Sequence, residues 1–211
     1  MAADGRTVNS ESHMPTEIEA KFRLTDPAAL QQRLAQLGAQ AAGSVLETDR
    51  IFDAADHRLR AAGCGLRVRT SRRLDAGRSA ADPSPALTFK GPRAAGALKI
   101  REELETLLGD ATASAHILER LGFRPVVVYE KRRKTWRLGE CTVTLDEMPA
   151  LGWFVEIEGP DVAAVETRQT QLGLAQTALV RESYVELAAA HGHPAADGCS
   201  WLLFDPDAYP T

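Results

Sequence analysis

Residues 16–24, Thr16-Glu17-Ile18-Glu19-Ala20-Lys21-Phe22-Arg23-Leu24, decide how the rest of this chain is read. Alternate residues of a β-strand share one face, so Glu17, Glu19 and Lys21 stand about 7 Å apart step to step, while Ile18, Ala20 and Phe22 point the other way. An ordinary half-exposed antiparallel strand with a solvated polar face would look the same. Repetition along the chain argues against that simpler reading.

The alternation returns in six further segments. Arg67 and Arg69 carry it in Leu-Arg-Val-Arg, Thr88 and Lys90 in Leu-Thr-Phe-Lys, and Arg101, Glu103 and Glu105 in Ile-Arg-Glu-Glu-Leu-Glu. Lys131 and Arg133 follow, then Thr142, Thr144 and Asp146, then Glu156 and Glu158. Seven acids thus meet seven bases on alternating faces, a balance expected if those faces converge. Such strands fit a closed or nearly closed barrel whose ionic faces line a wet lumen and whose Leu, Ile, Val and Phe faces pack outward on helices. Buried charge needs a partner, a metal or an ionic ligand, so the lumen reads as a binding site.

Bulk properties narrow the class. With 211 residues, 44% hydrophobic and 26% charged, the chain is long enough to bury a full core, and one domain is expected. The net charge of -4, with bases interleaved among acids, argues against a nucleic-acid partner. Cys64, Cys141 and Cys199 are odd in number and lack CxxC spacing, which speaks against a disulfide framework or a structural zinc and fits a reducing cytoplasm. No apolar run reaches membrane-span length and the first residues lack the apolar core of a signal peptide, so a cytoplasmic protein without membrane contact is expected. Residues 1–13 read as a disordered lead-in with Met14 a candidate second start, 14–190 as the barrel domain and 191–211 as an irregular tail docked by Trp201, Leu202, Leu203 and Phe204.

Between the strands, Asp26-Pro27 opens a helix whose Leu30, Leu34 and Leu37 recur at helical spacing up to Gly38. Strands are expected at 44–52, 66–71, 86–90, 98–106, 126–136, 140–146 and 151–158, and helices at 110–121 and 161–172. A short turn is expected through Arg60 to Gly63, a flexible connection over 72–85, and a strand or helix at 183–190. Glu17-Ile-Glu precedes a helix ending Gln-Leu-Gly, and Glu103-Leu-Glu one ending Arg-Leu-Gly, so the two halves read as a pseudo-repeat within one barrel.

Glu17-Ile-Glu19-Ala-Lys21 matches an ExExK signature, and with the charged strands above it resembles the CYTH superfamily of triphosphate tunnel metalloenzymes from residue 16 to about 190. Thr48-Asp49-Arg50, Leu87-Thr88-Phe89-Lys90-Gly91-Pro92, Leu145-Asp146-Glu147 and Ser183-Tyr184-Val185-Glu186-Leu187 support the likeness. The resemblance implies an α+β protein built as an eight-stranded antiparallel closed β-barrel, a tunnel with a charged lumen and helices packed outside. It implies that Glu17, Glu19, Glu156 and Glu158 hold Mg2+ or Mn2+, with Asp146 an acid near the metals. Glu17, Glu19, Lys21 and Asp146 form the implied catalytic set. Lys21, Arg67, Arg69, Lys90, Arg101, Lys131, Arg133 and Arg181 are implied to bind the triphosphate, and Glu103 and Glu105 are further lumen charges. Glu182 stands where a base is expected. Homodimers occur in the family.

The implied chemistry agrees with the residue types. Hard carboxylate oxygens suit Mg2+, and phosphoryl transfer needs charge neutralisation and positioning more than a covalent nucleophile. The first expectation is a metal-dependent triphosphatase acting on tripolyphosphate or an organic triphosphate such as thiamine triphosphate. The alternative is a class IV adenylyl cyclase that turns ATP into cyclic AMP and pyrophosphate, and a third reading is a non-catalytic polyphosphate- or nucleotide-binding module. In the run Lys131-Arg132-Arg133-Lys134, period two sends only Lys131 and Arg133 inward.

Overall fold

The computed structural model of the chain describes residues 16–75, 81–94, 96 and 98–209. The lead-in expected over 1–13, Met14, and 76–80 of the connection expected over 72–85 lie outside the described residues. The strands are β1 (Thr16–Leu24), β2 (Gln40–Ala54), β3 (Gly65–Arg73), β4 (Ala86–Lys90), β5 (Lys99–Leu107), β6 (Phe123–Leu138), β7 (Cys141–Met148) and β8 (Gly152–Glu158). They follow one another as β2-β3-β4-β5-β1-β8-β7-β6, and β6 pairs back onto β2, so the antiparallel sheet closes on itself. Exchanging β1–β4 for β5–β8 reproduces the same set of neighbours. The pseudo-repeat is therefore a twofold relation inside the barrel, with β1 against β5 and β2 against β6 across the axis.

Helices α1 (Pro27–Gln36), α3 (Ala111–Arg120) and α4 (Val162–Gln171) start on aspartates. Asp26 accepts from the Ala29 N–H, Asp110 from those of Thr112 and Ala113, and Asp161 from that of Ala164, each cap being worth about 1 kcal/mol. Leu30 and Leu34 of α1 and Val165 of α4 bury against the outward residues Ala20, Phe22, Val143, Leu145, Val155 and Ile157. Ala115 of α3 packs on Phe52 and Val68.

Several sequence expectations change in extent. β2 and β6 run longer than 44–52 and 126–136 because they pair with each other from Gln40 opposite Arg137 to Ala54 opposite Phe123. The turn expected at Arg60 to Gly63 is a helical turn, α2 (Arg58–Ala61), held by the Asp53 carboxylate, which accepts from the Leu59 and Arg60 N–H groups. Residues 183–190, open between strand and helix, form α5 (Tyr184–His191), started by a capping box of Ser183 and Glu186. The irregular tail expected over 191–211 is corrected in part: His193–Pro194 (β9) and Ser200–Leu202 (β10) join the sheet, with a 3-10 turn at Pro206–Ala208. β10 lies parallel to Val127–Tyr129, on the edge of β6 that β7 does not reach.

The expectation that apolar residues all pack outward is also corrected. Ile51, Val127, Met148 and Phe154 have inward parity, and Tyr184, Leu187 and Ala188 of α5, with Leu202 of β10, fill that end of the barrel with them. No helix among the described residues is long and apolar enough to cross a membrane.

Candidate active site

Beside this plug the lumen holds a chamber of about 310 Å3. Strand register places its wall. Lys21 stands opposite Glu156, Glu19 lies between Lys99 and Glu158, and Glu17 faces Arg101. Lys90 faces Glu103, Thr88 lies between Arg67 and Glu105, and Arg69 faces Asp49. Acid stands against base at Lys21–Glu156, Glu19–Lys99, Glu17–Arg101, Lys90–Glu103 and Arg69–Asp49, while Glu19 also stands against Glu158.

At the inner end each base is held from behind by an acid. Arg69 donates a bidentate pair to Asp49 at 2.6 and 2.9 Å and lies 3.0 Å from Glu47. Lys131 Nζ lies 2.9 Å from the same Glu47 oxygen. Arg133 donates to both oxygens of Asp146 at 2.7 and 2.6 Å and to Glu156 at 2.6 Å. The Tyr184 hydroxyl donates to Asp146 at 2.7 Å, and Lys21 Nζ sits 3.4 Å above the Tyr184 ring while pairing with Glu156 at 3.1 Å. A desolvated ammonium over an aromatic face gains stabilisation from the ring quadrupole.

Charge states follow from this packing. Burial would raise Glu47, but Arg69 and then Lys131 outweigh it and hold the carboxyl down at about 2. Asp49 and Glu156 are likewise held well below the usual carboxylate range against their burial, by Arg69 and by Lys21 first. Burial lowers Lys21 to about 8 despite Glu156, and lowers Lys131 together with the neighbouring Arg133 and Arg69. Burial, then Asp146, pushes the Tyr184 hydroxyl far up, so it stays a neutral donor.

Towards the mouth the acids gather. Lys90 Nζ lies 2.7 Å from Glu17 and 2.7 Å from Glu103, Lys99 3.0 Å from Glu19, and Arg101 3.4 Å from Glu17. Glu158 is exposed, and its carboxyl is raised by partial burial and then by the neighbouring Glu17, Glu103 and Glu19. Eight bases and six acids line the chamber, because Glu47, Asp49 and Asp146 lie behind the wall, and the surface offered to a ligand is net positive. Arg67 Nε is buried, makes no hydrogen bond among the described residues and lies 3.7 Å from Asp49 Oδ1.

Two of the expected site residues stand elsewhere. Asp146 is fully buried, and its oxygens accept from Arg133 and Tyr184, behind the guanidinium that also reaches Glu156. Arg181 is exposed and lines a separate cleft of about 380 Å3 with Arg93, Leu98 and Leu179. That cleft shares Glu19, Lys21 and Lys99 with the chamber wall, but residues 180–182 stand between: the Val180 N–H donates to the Lys21 carbonyl at 2.8 Å, and the Glu182 carbonyl accepts from Lys21 and Lys99 Nζ at 3.4 and 3.3 Å. The Glu182 backbone thus meets both lysines. Glu17, Glu19, Lys21, Arg67, Arg69, Lys90, Arg101, Glu103, Glu105, Lys131, Arg133, Glu156 and Glu158 all line the one chamber, while Arg132 is outward against Glu147.

Sequence reasoning missed Lys99, Tyr129, Glu47, Asp49 and Tyr184. Lys99 continues the parity of Arg101, Tyr129 that of Lys131, and Glu47 and Asp49 that of one another, so period two carried a signal for all four. Tyr184 reaches the chamber only because α5 enters the barrel end, which no local pattern announces.

The geometry agrees with what known proteins show. The CYTH domain family model matches residues 15–184. The adenylate cyclase CyaB of Aeromonas hydrophila is 30% identical over 181 residues, 80% of this chain and 86% of that protein. Among solved structures, the PH1819 protein of Pyrococcus horikoshii OT3 superposes with a TM-score of 0.68 at 26% identity, covering 81% of this chain and 97% of that one. HpAC1 from Hippeastrum, described as having a dominant triphosphatase activity, shares the fold with a TM-score of 0.61 at 20% identity, over 80% of this chain and 92% of that one. Since the family match runs through all eight barrel strands and their ionic faces, this chain belongs to the CYTH domain family.

Proposed function

We propose that the chamber binds a triphosphate together with Mg2+ or Mn2+ and hydrolyses it. One observation carries this reading: fourteen of the eighteen residues around the chamber are charged, and eight of those are basic. What the wall recognises is therefore the phosphate chain. Lys21, Arg69, Lys131 and Arg133 form its inner cradle, with guanidiniums pre-oriented by Asp49, Asp146 and Glu156.

The carboxylates near the mouth fit a hard divalent cation. Glu17, Glu19, Glu103 and Glu158 crowd one another enough to raise Glu158, a surplus of negative oxygen that a cation relieves. Glu17, Glu19, Glu156 and Glu158 would hold it, although no three acids already converge on one point among the described residues. When bound, the cation supplies charge neutralisation on the phosphates and an activated water. Anion and cation binding are coupled through the ion pairs: phosphate oxygens that take Lys90, Lys99 or Lys21 release Glu17, Glu19 or Glu156. Charge leaving with the departing phosphate falls on the cradle cations, and no histidine or cysteine is required.

Incubation with tripolyphosphate, thiamine triphosphate and ATP, each with Mg2+ or Mn2+, tests the proposal. Orthophosphate release from at least one is expected, and release from none contradicts hydrolysis. The cyclase reading is favoured by the name of the Aeromonas relative at 30% identity, and cyclic AMP with pyrophosphate from ATP would select it. Tight tripolyphosphate binding with no turnover of any substrate would select a binding module.

A further inference from the structure

β1 outruns one of its two neighbours. β5 pairs with it only from Thr16 opposite Glu102 to Glu19 opposite Lys99, and past that point the edge of β1 is met by residues 179–180: Leu179 bridges Phe22, and the Val180 N–H donates to the Lys21 carbonyl at 2.8 Å. Between this segment and the connection from β4 to β5 lies the cleft of about 380 Å3, a notch in the barrel wall beside the lumen. Its volume falls within the span of about 300–1,000 Å3 usual for small-molecule sites. Ala20, Leu98, Leu179 and Val180 give it apolar sides, and Arg93 and Arg181 reach it from two different segments.

The charges around the cleft are matched with one exception. Lys21 pairs with Glu156 at 3.1 Å, Lys99 with Glu19 at 3.0 Å and Arg93 with Glu186 at 2.9 Å. The Arg181 carbonyl accepts from Arg93 at 2.8 Å, so the backbone that presents Arg181 is pinned on both sides, to β1 and to Arg93. The Arg181 guanidinium itself is exposed and makes no hydrogen bond or ion pair among the described residues, and Glu182 is not among the residues lining the cleft. One positive charge is left over beside apolar surface.

We infer that this cleft is a second binding site, for a small organic monoanion: a carboxylate with a compact apolar body, its oxygens paired with Arg181 and its body resting on Leu98, Leu179 and Val180. A guanidinium offers a carboxylate two parallel N–H donors in one plane, so a single arginine suffices to orient it. One surplus charge matches one carboxylate. Orthophosphate or a polyphosphate brings more negative charge than the cleft has cations free to meet, and it has no carbon with which to cover the apolar sides. Residues 180–182 stand between the cleft and the chamber, so the site is independent of what the chamber binds.

Titration of the full-length protein with benzoate, followed by methyl NMR, tests this, with benzamide as the uncharged counterpart and orthophosphate as a second anion. Benzoate is expected to shift the Leu98, Leu179 and Val180 methyls saturably, and benzamide to bind there about tenfold or more weakly, the loss expected for a charged hydrogen-bonded pair. Arg181→Met, which keeps the length of the exposed side chain and removes its charge, is expected to weaken benzoate by about the same factor. No saturable shift, equal binding of benzamide, or undiminished binding in Arg181→Met would overturn the inference. Shifts at Val185, which lines the chamber, without shifts at Leu98 and Leu179 would place the carboxylate in the lumen and overturn it as well. Orthophosphate that moves the cleft methyls at lower concentration than benzoate would overturn the assignment to an organic monoanion.

Discussion

Arg133 donates to both oxygens of Asp146 and to Glu156, and Tyr184 donates to Asp146 from the plug, so one buried carboxylate fixes both a chamber-lining guanidinium and the helix that closes the chamber. Removing one charge of a buried pair costs about 3–5 kcal/mol, since the partner is left uncompensated. Asp146→Asn is expected to lower the unfolding free energy on that scale in urea titrations and to raise KM for the triphosphate more than it lowers kcat. An unchanged midpoint would contradict the role assigned to Asp146. Glu47 gives a pH test. It ionises at about 2 in the folded protein against an ordinary 4.5, so the stability it adds is fully present above about pH 4.5 and fades as pH falls towards 2. Glu47→Gln should therefore separate from the wild type at neutral pH and approach it in acid, as read by thermal melts across that window. At the mouth, Glu17→Gln with Glu19→Gln is expected to lower turnover by about 100-fold or more while metal-free tripolyphosphate binding persists, measured by calorimetry in chelator. Period two told which side chains face inward but not how deep they lie. That is why Asp146 and Arg133, neighbours by register, were legible as lumen residues while the burial that turns one into the support of the other was not.

At the scale of elements, the charged strands were the legible part and the closing pieces were not. β1 announces itself by its alternation and α1, α3 and α4 by aspartate caps, whereas β10 is three residues long and forms only because β6 outreaches β7. The turn from α5 into β9 and β10 is tight at Gly192. A Cβ there would come within 2.6 Å of the Ala188 carbonyl oxygen and 2.8 Å of that of Trp201, besides meeting the Ser200 hydroxyl. Backbone oxygens cannot swing aside, so Gly192→Ala must push β10 away from α5. The tail segment holds the plug, since Leu202 packs with Tyr184, Leu187 and Ala188, and the Ser200 hydroxyl donates to the Ala188 carbonyl at 3.2 Å. Gly192→Ala is expected to cost about 1–3 kcal/mol and to speed amide exchange in residues 184–191 ahead of the barrel strands. Exchange that rises uniformly, or not at all, would contradict a strap role for the tail.

For the whole molecule, the twofold relation between β1–β4 and β5–β8 explains how so many ionic side chains meet in one place. Each half contributes both acid-bearing and base-bearing strands, and closure turns their polar faces towards each other, where a low local dielectric strengthens every pair and makes an unpaired charge costly. The chain resolves this by pairing acid with base, and on the proposed function a polyanion and a cation arriving together would take over those partners. A crystal structure of the protein with tripolyphosphate and Mn2+ tests that claim most directly. The expected result is a chain of phosphates inside the barrel in contact with Lys21, Arg69, Lys131 and Arg133, with the manganese anomalous signal beside Glu17, Glu19 and Glu158. Phosphates bound only outside the barrel, or in the cleft beside Arg93 and Arg181, with the interior ion pairs intact, would contradict it.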